Sequence, residues 1–485
     1  MEKKSLKVNF IMNILLTMSS FIFPLITFPY VSRILLPIGT GKVAFATSFI
    51  NYLVMLSQLG IPTYGIRACA KVRDNKEELS KTAQELLIIN LIMSGVSYII
   101  LSLSIIFIPK FNSEKELYLV IGLTILLSSL GMEWLYKSLE QYTYITIRSL
   151  TFKVIALIVM FLCVKTREDY IKYGGITILA ASASNILNFF NARRFITFKF
   201  LSKYNIKKHL KAVGIFFAIA CATTVYTNLD NLMLGFISGE DEVGLYNASV
   251  KIKTVLVSIV ASLGTVLLPR ASYYIEKNEV SKFKQIICKA LNIVILLAIP
   301  FMVFFSFYAS EVIYVLSGPA YAGAIIPMQI IMPTVLFIGI TNLFGIQILV
   351  PLGREREVLK AVICGGIIDV IVNILFIPSF ASSGAAIGTL IAEFVVLLVE
   401  YKAVREEVVE AIKRVKFFPI IISSFIGLTA CLWVKKLDIC NIIKLLLSSG
   451  IFFSCYGAGL LFLKNEIATE AISLLINKVK KYEEK

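Results

Sequence analysis

About fourteen apolar stretches of some twenty residues follow one another along this chain, separated only by short polar intervals. They lie at 10–35, 43–63, 84–108, 117–136, 141–164, 174–192, 212–236, 245–268, 286–307, 322–350, 359–378, 383–401, 417–434 and 443–463. Twenty residues wound as a helix rise about 30 Å, the thickness of the hydrocarbon in a bilayer. A chain made almost wholly of such runs finds its solvent in lipid, where a helix satisfies every backbone group within its own segment. Composition agrees: 58% of residues are hydrophobic and 16% charged, with mean hydropathy +0.82, against roughly 45–50% apolar and 25% charged in soluble domains. The expected fold is therefore an all-α integral membrane protein with about fourteen transmembrane helices. The first run follows MEKKSLK, lacks a small-residue cleavage site and is too long for a signal peptide, so it reads as a retained helix.

Lys and Arg give the orientation. Taken alternately from the N-terminal tail, one set of intervals holds 34 of the 48 basic residues and the opposite set holds 9. The remaining five, Arg33, Arg148, Lys153, Lys251 and Lys253, fall inside apolar runs. By the positive-inside rule both termini face the cytoplasm. The net charge of +17 is mostly this signal, with affinity for anionic lipid headgroups, and a nucleic-acid partner is not expected.

Several chemistries are disfavoured. The eight Cys show no Cys-x-x-Cys or metal spacing and read as small buried hydrophobes. The single histidine, His209, lies in the basic linker KYNIKKHLKAV and reads as solvated or interfacial. No Walker loop, nucleophile elbow or metal cluster occurs, so no catalytic residue and no cofactor is expected.

The basic linker at 193–211 divides the chain after about six helices. VSRILLPIGTGKVAFATS at 31–48 parallels LDNLMLGFISGEDEVGLYNAS at 229–249, LGIP ending at Pro62 parallels TVLLP ending at Pro269, and GGITILAASASNILNFFNARR from Gly174 parallels SGAAIGTLIAEFVVLLVEYKA from Ser383. The offsets run from about 198 to 209 residues. An even number of helices per repeat preserves orientation, so the halves are expected to be parallel repeats about an axis along the membrane normal, enclosing a cavity. The alternative is ordinary punctuation by Gly, Pro and Asp. The expected division is 1–200 and 201–410 as six-helix lobes, with 411–485 adding two helices and a tail.

Five segments then carry a family likeness: FPLITFPYVSRIL; GTGKVAFATSFINYLVMLSQLGIPTYGIRACAKVRDN; GMEWLYKSLEQYTYITIRSLTFKVIALIVMFLCVKTREDYIKYG; YTNLDNLMLGFISGEDEVGLYNASVKIK; and FIPSFASSGAAIGTLIAEF. Together, over about residues 8 to 402, they resemble the polysaccharide flippases of the O-antigen (Wzx) type, within the multidrug/oligosaccharidyl-lipid/polysaccharide exporter superfamily. The resemblance implies two six-helix lobes in a V, and a cargo of oligosaccharide on polyprenyl pyrophosphate turned from the cytoplasmic to the outer leaflet of a bacterial plasma membrane. Its partners would be that lipid-linked oligosaccharide, membrane lipids and other polysaccharide assembly proteins.

Such cargo needs water and cations in the membrane, because an unpaired pyrophosphate in hydrocarbon is costly. Arg33, Arg148, Lys153, Lys251 and Lys253 each cost about 2.5–3.5 kcal/mol at a helix centre, which argues that they face a cavity. Arg33 and Lys253 have snorkelling to an interface as their alternative. Pro24 and Pro29 are expected to bend or break the helix that bears Arg33. Arg67 and Arg270, at cytoplasmic helix ends, are orientation charges or the rim that first meets the pyrophosphate. Asp230, near the place of Arg33 in the other half, is expected to pair with Lys251 or bind a coupling ion, a proton or sodium. A structural salt bridge is its alternative. Glu133, beside Trp134, sits near a helix end, whereas Asp369 and Glu393 look deep, where the neutral carboxyl is favoured and proton coupling is suited.

Two other functions stay open. A cation-coupled multidrug antiporter of the same superfamily should have an acid-dominated lumen instead of one with several bases. A membrane glycan polymerase or ligase usually needs a large extracytoplasmic loop, and the outer intervals here are short.

Overall fold

A computed structural model describes residues 6–199, 204–277, 279–465 and 469, apart from the side chains of residues 6, 7, 10 and 263–272. Every regular element among the described residues is a helix, and the apolar stretches are helical, though 10–35 and 43–63 share one helix, as do 359–378 and 383–401, and 174–192 and 322–350 are each divided among several. The chain divides into two compact units, Met1–Asn247 and Ala248–Lys485. The first contains α1 (Leu6–Gln58), α2 (Ile61–Lys71), α3 (Lys76–Phe107), α4 (Pro109–Ser113), α5 (Lys115–Leu130), α6 (Glu133–Ser138), α7 (Tyr142–Cys163), α8 (Tyr170–Ile178), α9 (Asn185–Asn191), α10 (Lys207–Ile237) and the start of α11 (Glu240–Glu276).

At 53 residues, α1 would be about 80 Å long if straight, far more than one crossing. It breaks at Leu36 (φ 58, ψ 178), not at Pro24 or Pro29, which both stay within helix. Of the bend or break expected at those two prolines, the break falls elsewhere: Leu36 precedes a third proline, Pro37, whose ring disfavours helical geometry in the residue before it. Hydrogen bonds show what the break does. Residues 6–35 run parallel to α7, since Thr146 donates to the Met12 carbonyl, Lys153 to Ser19, and Tyr30 to the Val164 carbonyl. The segment through α8 and α9 runs antiparallel to α7, as Arg148 reaches Ser184 and Tyr144 reaches Leu187. It runs parallel to α5, with Gly174 against Leu117 and Asn188 bonded to Gly131. α5 is antiparallel to α3, and α3 to residues 37–58. The chain therefore reverses at Leu36.

Side-chain polarity is inverted relative to a soluble bundle. On α3, Asn90, Ser94 and Ser97 are buried while Ile92, Ile99, Leu103 and Ile106 are exposed. Polar groups need partners inside the bundle, and hydrocarbon accepts the apolar face. The polar start of α3 is helical too, because Asn75 caps it, accepting from the backbone N–H groups of Glu77 and Glu78. Between α7 and α8, the turn is fastened by Asp169, which pairs with Lys172 at 2.6 Å and accepts from the N–H groups of Lys165 and Thr166. That ammonium and those N–H groups hold its carboxyl well below the usual carboxylate range.

One contact carries the repeat. Gly41 lies against the Glu240 backbone and Gly244 against that of Pro37, and a Cβ at either glycine would collide. Both 244 minus 41 and 240 minus 37 equal 203, inside the offset range of the sequence repeat, so one contact becomes the other under the repeat operation.

His209 is not solvated. Its ring is 3% exposed, Nε2 meets Glu85 at 2.8 Å and Nδ1 meets the Tyr64 hydroxyl at 2.8 Å. Glu85 also takes Lys208 at 2.8 Å and the Asn205 N–H at 2.7 Å, fastening the linker to α3.

The second unit continues with α12 (Val280–Phe307), α13 (Ala309–Leu316), α14 (Ile325–Ile331), α15 (Thr334–Asn342), α16 (Glu355–Ala403), α17 (Arg405–Arg414), α18 (Phe417–Lys435) and α19 (Asn441–Phe462). α16, 49 residues long, breaks at Ala381 (φ 47, ψ −123). Beyond the break Gly384 approaches the Phe376 backbone so closely that a Cβ would stand 2.5 Å from its carbonyl. α18 and α19 dock on α12, with Tyr308 donating to the Cys431 carbonyl at 2.8 Å and Tyr456 to the Leu296 carbonyl at 2.7 Å. Among the described residues, ten helices are long and apolar enough to cross a membrane, or eleven if the bent pair Pro319–Ile331 and Thr334–Leu349 is one span. The cysteines are all free, and only Cys69 and Cys431 are buried, fewer than expected.

Candidate functional site

The middle of α10 faces residues 37–58 through polar, mostly uncharged side chains. Asn51 Nδ2 donates to Asn228 Oδ1 at 3.0 Å, Asn231 Nδ2 to Ser48 Oγ at 2.9 Å, and the Tyr52 hydroxyl to the Val225 carbonyl at 3.3 Å. The ladder passes to α11, where Asn247 Nδ2 donates to Asn231 Oδ1 at 2.8 Å and the Tyr246 hydroxyl donates to Asp230 Oδ2. Gly235 ends it, seated on the Phe45 ring. Spacings of three and four residues place these groups on one face of each helix.

Asp230 is thus half-buried and bonded to the helix that follows it, through Tyr246. Lys251 and Lys253 lie further along α11, in the second unit, each half-buried. Lys153 is half-buried on α7 and donates to Ser19 Oγ at 2.7 Å and Ser20 Oγ at 3.0 Å, two hydroxyls on residues 6–35. Arg33 is exposed and folds back onto the Pro29 carbonyl of its own helix. Arg148 is buried and spans from α7 to the Ser184 carbonyl at 3.0 Å and Asn185 Oδ1 at 3.2 Å, which makes it a strut between helices. Arg67 is exposed on α2, and the Arg270 side chain lies outside the described residues.

Glu133 opens α6 after Met132, a residue in the left-handed region at φ 41, and pairs with Lys137 at 3.6 Å. In the second unit Asp369 and Glu393 are both buried, on either side of the break in α16. Gly388 brings its backbone against Asn373 and Asp369, and a Cβ there would collide with the Asn373 carboxamide oxygen. Glu400, a turn or two beyond Glu393, is buried as well, with Gly345 against its Oε1. Sequence reading missed it because Tyr401 and Lys402 beside it look interfacial. Ser48, Asn51 and Asn231 were missed too, although Asn228, Asp230 and Asn231 stand together in one apolar run.

Comparison with known proteins adds to this geometry. A family model described as "Polysaccharide biosynthesis protein" matches residues 6–275, and one described as MatE matches residues 214–375. A protein of Escherichia coli (strain K12) named "Putative O-antigen transporter" is 25% identical over 401 residues, covering 81% of this chain and 95% of that protein. A solved structure, "Lipid II flippase MurJ, inward closed conformation", is similar with TM-score 0.72 at 18% identity, covering 94% of this chain and 100% of that one. A multidrug resistance MATE family transporter in an inward-facing conformation reaches TM-score 0.62 at 15% identity, covering 83% of this chain and 99% of that one. At such identities the two structures speak to the fold, which this chain shares.

Proposed function

The chain belongs to the polysaccharide biosynthesis protein family, and we propose that it carries polyprenyl-pyrophosphate-linked oligosaccharide repeat units from the cytoplasmic to the outer leaflet of a bacterial plasma membrane. The carried units would serve O-antigen, capsule or exopolysaccharide assembly, with the other proteins of that assembly as partners. One observation carries the reading. Lys153, inside an apolar helix, donates to two serine hydroxyls and forms no ion pair among the described residues, so neutral groups solvate it at close range while Glu133 acts on it only from farther off. An anionic headgroup crossing the membrane needs such a group. The name of the Escherichia coli relative supports the same reading.

In this reading Arg33, Lys153, Lys251 and Lys253 serve the pyrophosphate along its path, and Arg67 and Arg270 form its cytoplasmic rim. Arg148 and Glu133 act in packing. Asp230, Asp369 and Glu393 are the candidates for a coupling proton or sodium ion. Both termini face the cytoplasm, residues 1–200 and 201–410 form two lobes, and α18 and α19 are an addition. Fourteen crossings follow if α1 and α16 each count twice at their breaks and the segments through α8–α9 and α14–α15 count once each, support that comes from the helix breaks at Leu36 and Ala381.

Lys153→Ala is the test. Export of the glycan should stop, and the lipid-linked unit should accumulate on the cytoplasmic leaflet while the protein stays inserted. Lys153→Arg should restore part of the export, because it keeps the charge with a different hydrogen-bond geometry. Normal export by the Ala variant would overturn the assignment.

A further inference from the structure

The first unit holds a cavity of about 310 Å³ between the end of α1, the start of α2 and the middle of α10. Asn51, Gln58, Thr63, Thr224 and Asn228 line it with hydrogen-bonding groups, and among the described residues no Lys, Arg, Asp or Glu does. Asn51 and Asn228 are tied to each other. The side chains of Gln58, Thr63 and Thr224 make no hydrogen bond among the described residues. Met55 and Pro62 supply apolar wall. The floor is fixed by Gly60 at φ +74, whose Cα lies so near the α10 backbone that a Cβ would stand 2.5 Å from Phe216. Backbone that close, on a residue in the left-handed region, admits only glycine.

A wall of neutral donors and acceptors without a cation suits a neutral, polyhydroxylated ligand and not a phosphate. Carboxamides and hydroxyls both donate and accept, as sugar hydroxyl and acetamido groups do, and the apolar wall matches the C–H face of a pyranose. The volume is at the low end for small-ligand pockets, about 300–1,000 Å³, so it fits a ring or two and not a whole lipid-linked chain. We propose that this cavity is a saccharide subsite, which holds an uncharged glycosyl residue of the cargo while cations elsewhere hold its pyrophosphate. The proposal rests on the carrier function and assigns to that function the residues that sense the sugar.

Binding to purified protein in lipid nanodiscs tests it, with two probes: polyprenyl diphosphate, and polyprenyl-diphospho-N-acetylglucosamine. Wild type should bind the sugar-bearing lipid about tenfold more tightly, as two or three extra hydrogen bonds would give. In Gln58→Leu with Thr224→Val that preference should vanish, with affinity for the sugarless lipid unchanged. Ala220→Phe, which removes no polar group but fills the space, should do the same. A preference that survives in these variants, or equal weakening toward both lipids, overturns the subsite. So does a wild type that binds both lipids equally, which leaves the carrier reading standing. A wild type that binds neither lipid overturns both.

Discussion

The first turn of α10 and its middle both set polar side chains between helices, and they use them in opposite ways. At the first turn Glu85 accepts from Lys208, His209 and the Asn205 N–H, and His209 closes the chain on Tyr64. Both ring nitrogens of His209 have a partner, and Glu85 is fully buried with three donors on its carboxylate. Against the middle of the same helix, Asn51 of α1 bonds to Asn228 of α10, while Gln58 of α1, Thr63 of α2 and Thr224 of α10 make no side-chain hydrogen bond among the described residues. A saturated polar network rigidifies, whereas groups left unsatisfied beside a cavity are open to the ligand proposed for it. The difference separates fastening from function without reference to charge.

Removing the fastening should have the largest effect. Glu85→Ala leaves the buried His209 without its acceptor, and breaking a buried pair from one side costs about 3–5 kcal/mol. The variant should show the lowest melting temperature of any single change in this region, and proteolysis should open the linker. Unchanged melting would make the network ornamental and erase the contrast.

Asp230→Asn comes next. It keeps the shape but turns a charged acceptor for Tyr246 into a neutral one, and bonds to charged groups exceed neutral ones by about 1 kcal/mol. Stability should fall by that much or less, because the buried charge itself carried an insertion cost. Transport should fall far more. Full transport by the Asn variant would leave Asp230 as a second fastening, on the side of Glu85 in the comparison.

What could be read from sequence follows the range over which each signal acts. Helix positions were legible because twenty apolar residues specify a span by themselves. The break in α1 was legible as the gap between the stretches 10–35 and 43–63, which contains Leu36, but the continuation of helix through Pro24 and Pro29 was not. Asp230 stood out as a charged residue in an apolar run, but Asn228 and Asn231 beside it did not, because their partners Asn51 and Ser48 lie 177 and 183 residues away. His209 was misjudged for the same reason: its linker is basic, and the acid that buries it is 124 residues earlier. Local composition predicts the solvent of a segment, and long-range pairing overrides it one residue at a time.

A double-mutant cycle on Asn51 and Asn228 measures the weak link between the two regimes. Interhelical side-chain hydrogen bonds in membranes average about 0.6 kcal/mol. Asn51→Leu should cost about that much, Asn228→Leu more because its Nδ2 also donates to the Thr224 carbonyl and Thr227 Oγ1 of its own helix, and the double variant little more than Asn228→Leu, because the interhelical bond is shared. Additive losses would mean that the two carboxamides do not depend on each other, and the interhelical bond would carry no part of the contrast.

Gln58→Leu should have the smallest effect on stability and is the sharpest test of the contrast. The side chain has no protein hydrogen bond to lose, and leucine has similar bulk at a half-exposed position beside Met55 and Pro62. Melting should stay within about 0.5 kcal/mol of wild type, the range of surface changes that break no named feature. Lipid solvation favours leucine, so any shift should be toward greater stability. Transport measures the other side. If an unsatisfied carboxamide is retained in a membrane helix for the cargo, the stable variant should carry sugar-bearing lipid more slowly than wild type does. A variant both as stable and as fast as wild type would show that spare hydrogen-bonding capacity in the cavity wall beside α10 has no functional meaning, and the distinction between the first turn of α10 and the wall beside its middle would reduce to burial alone.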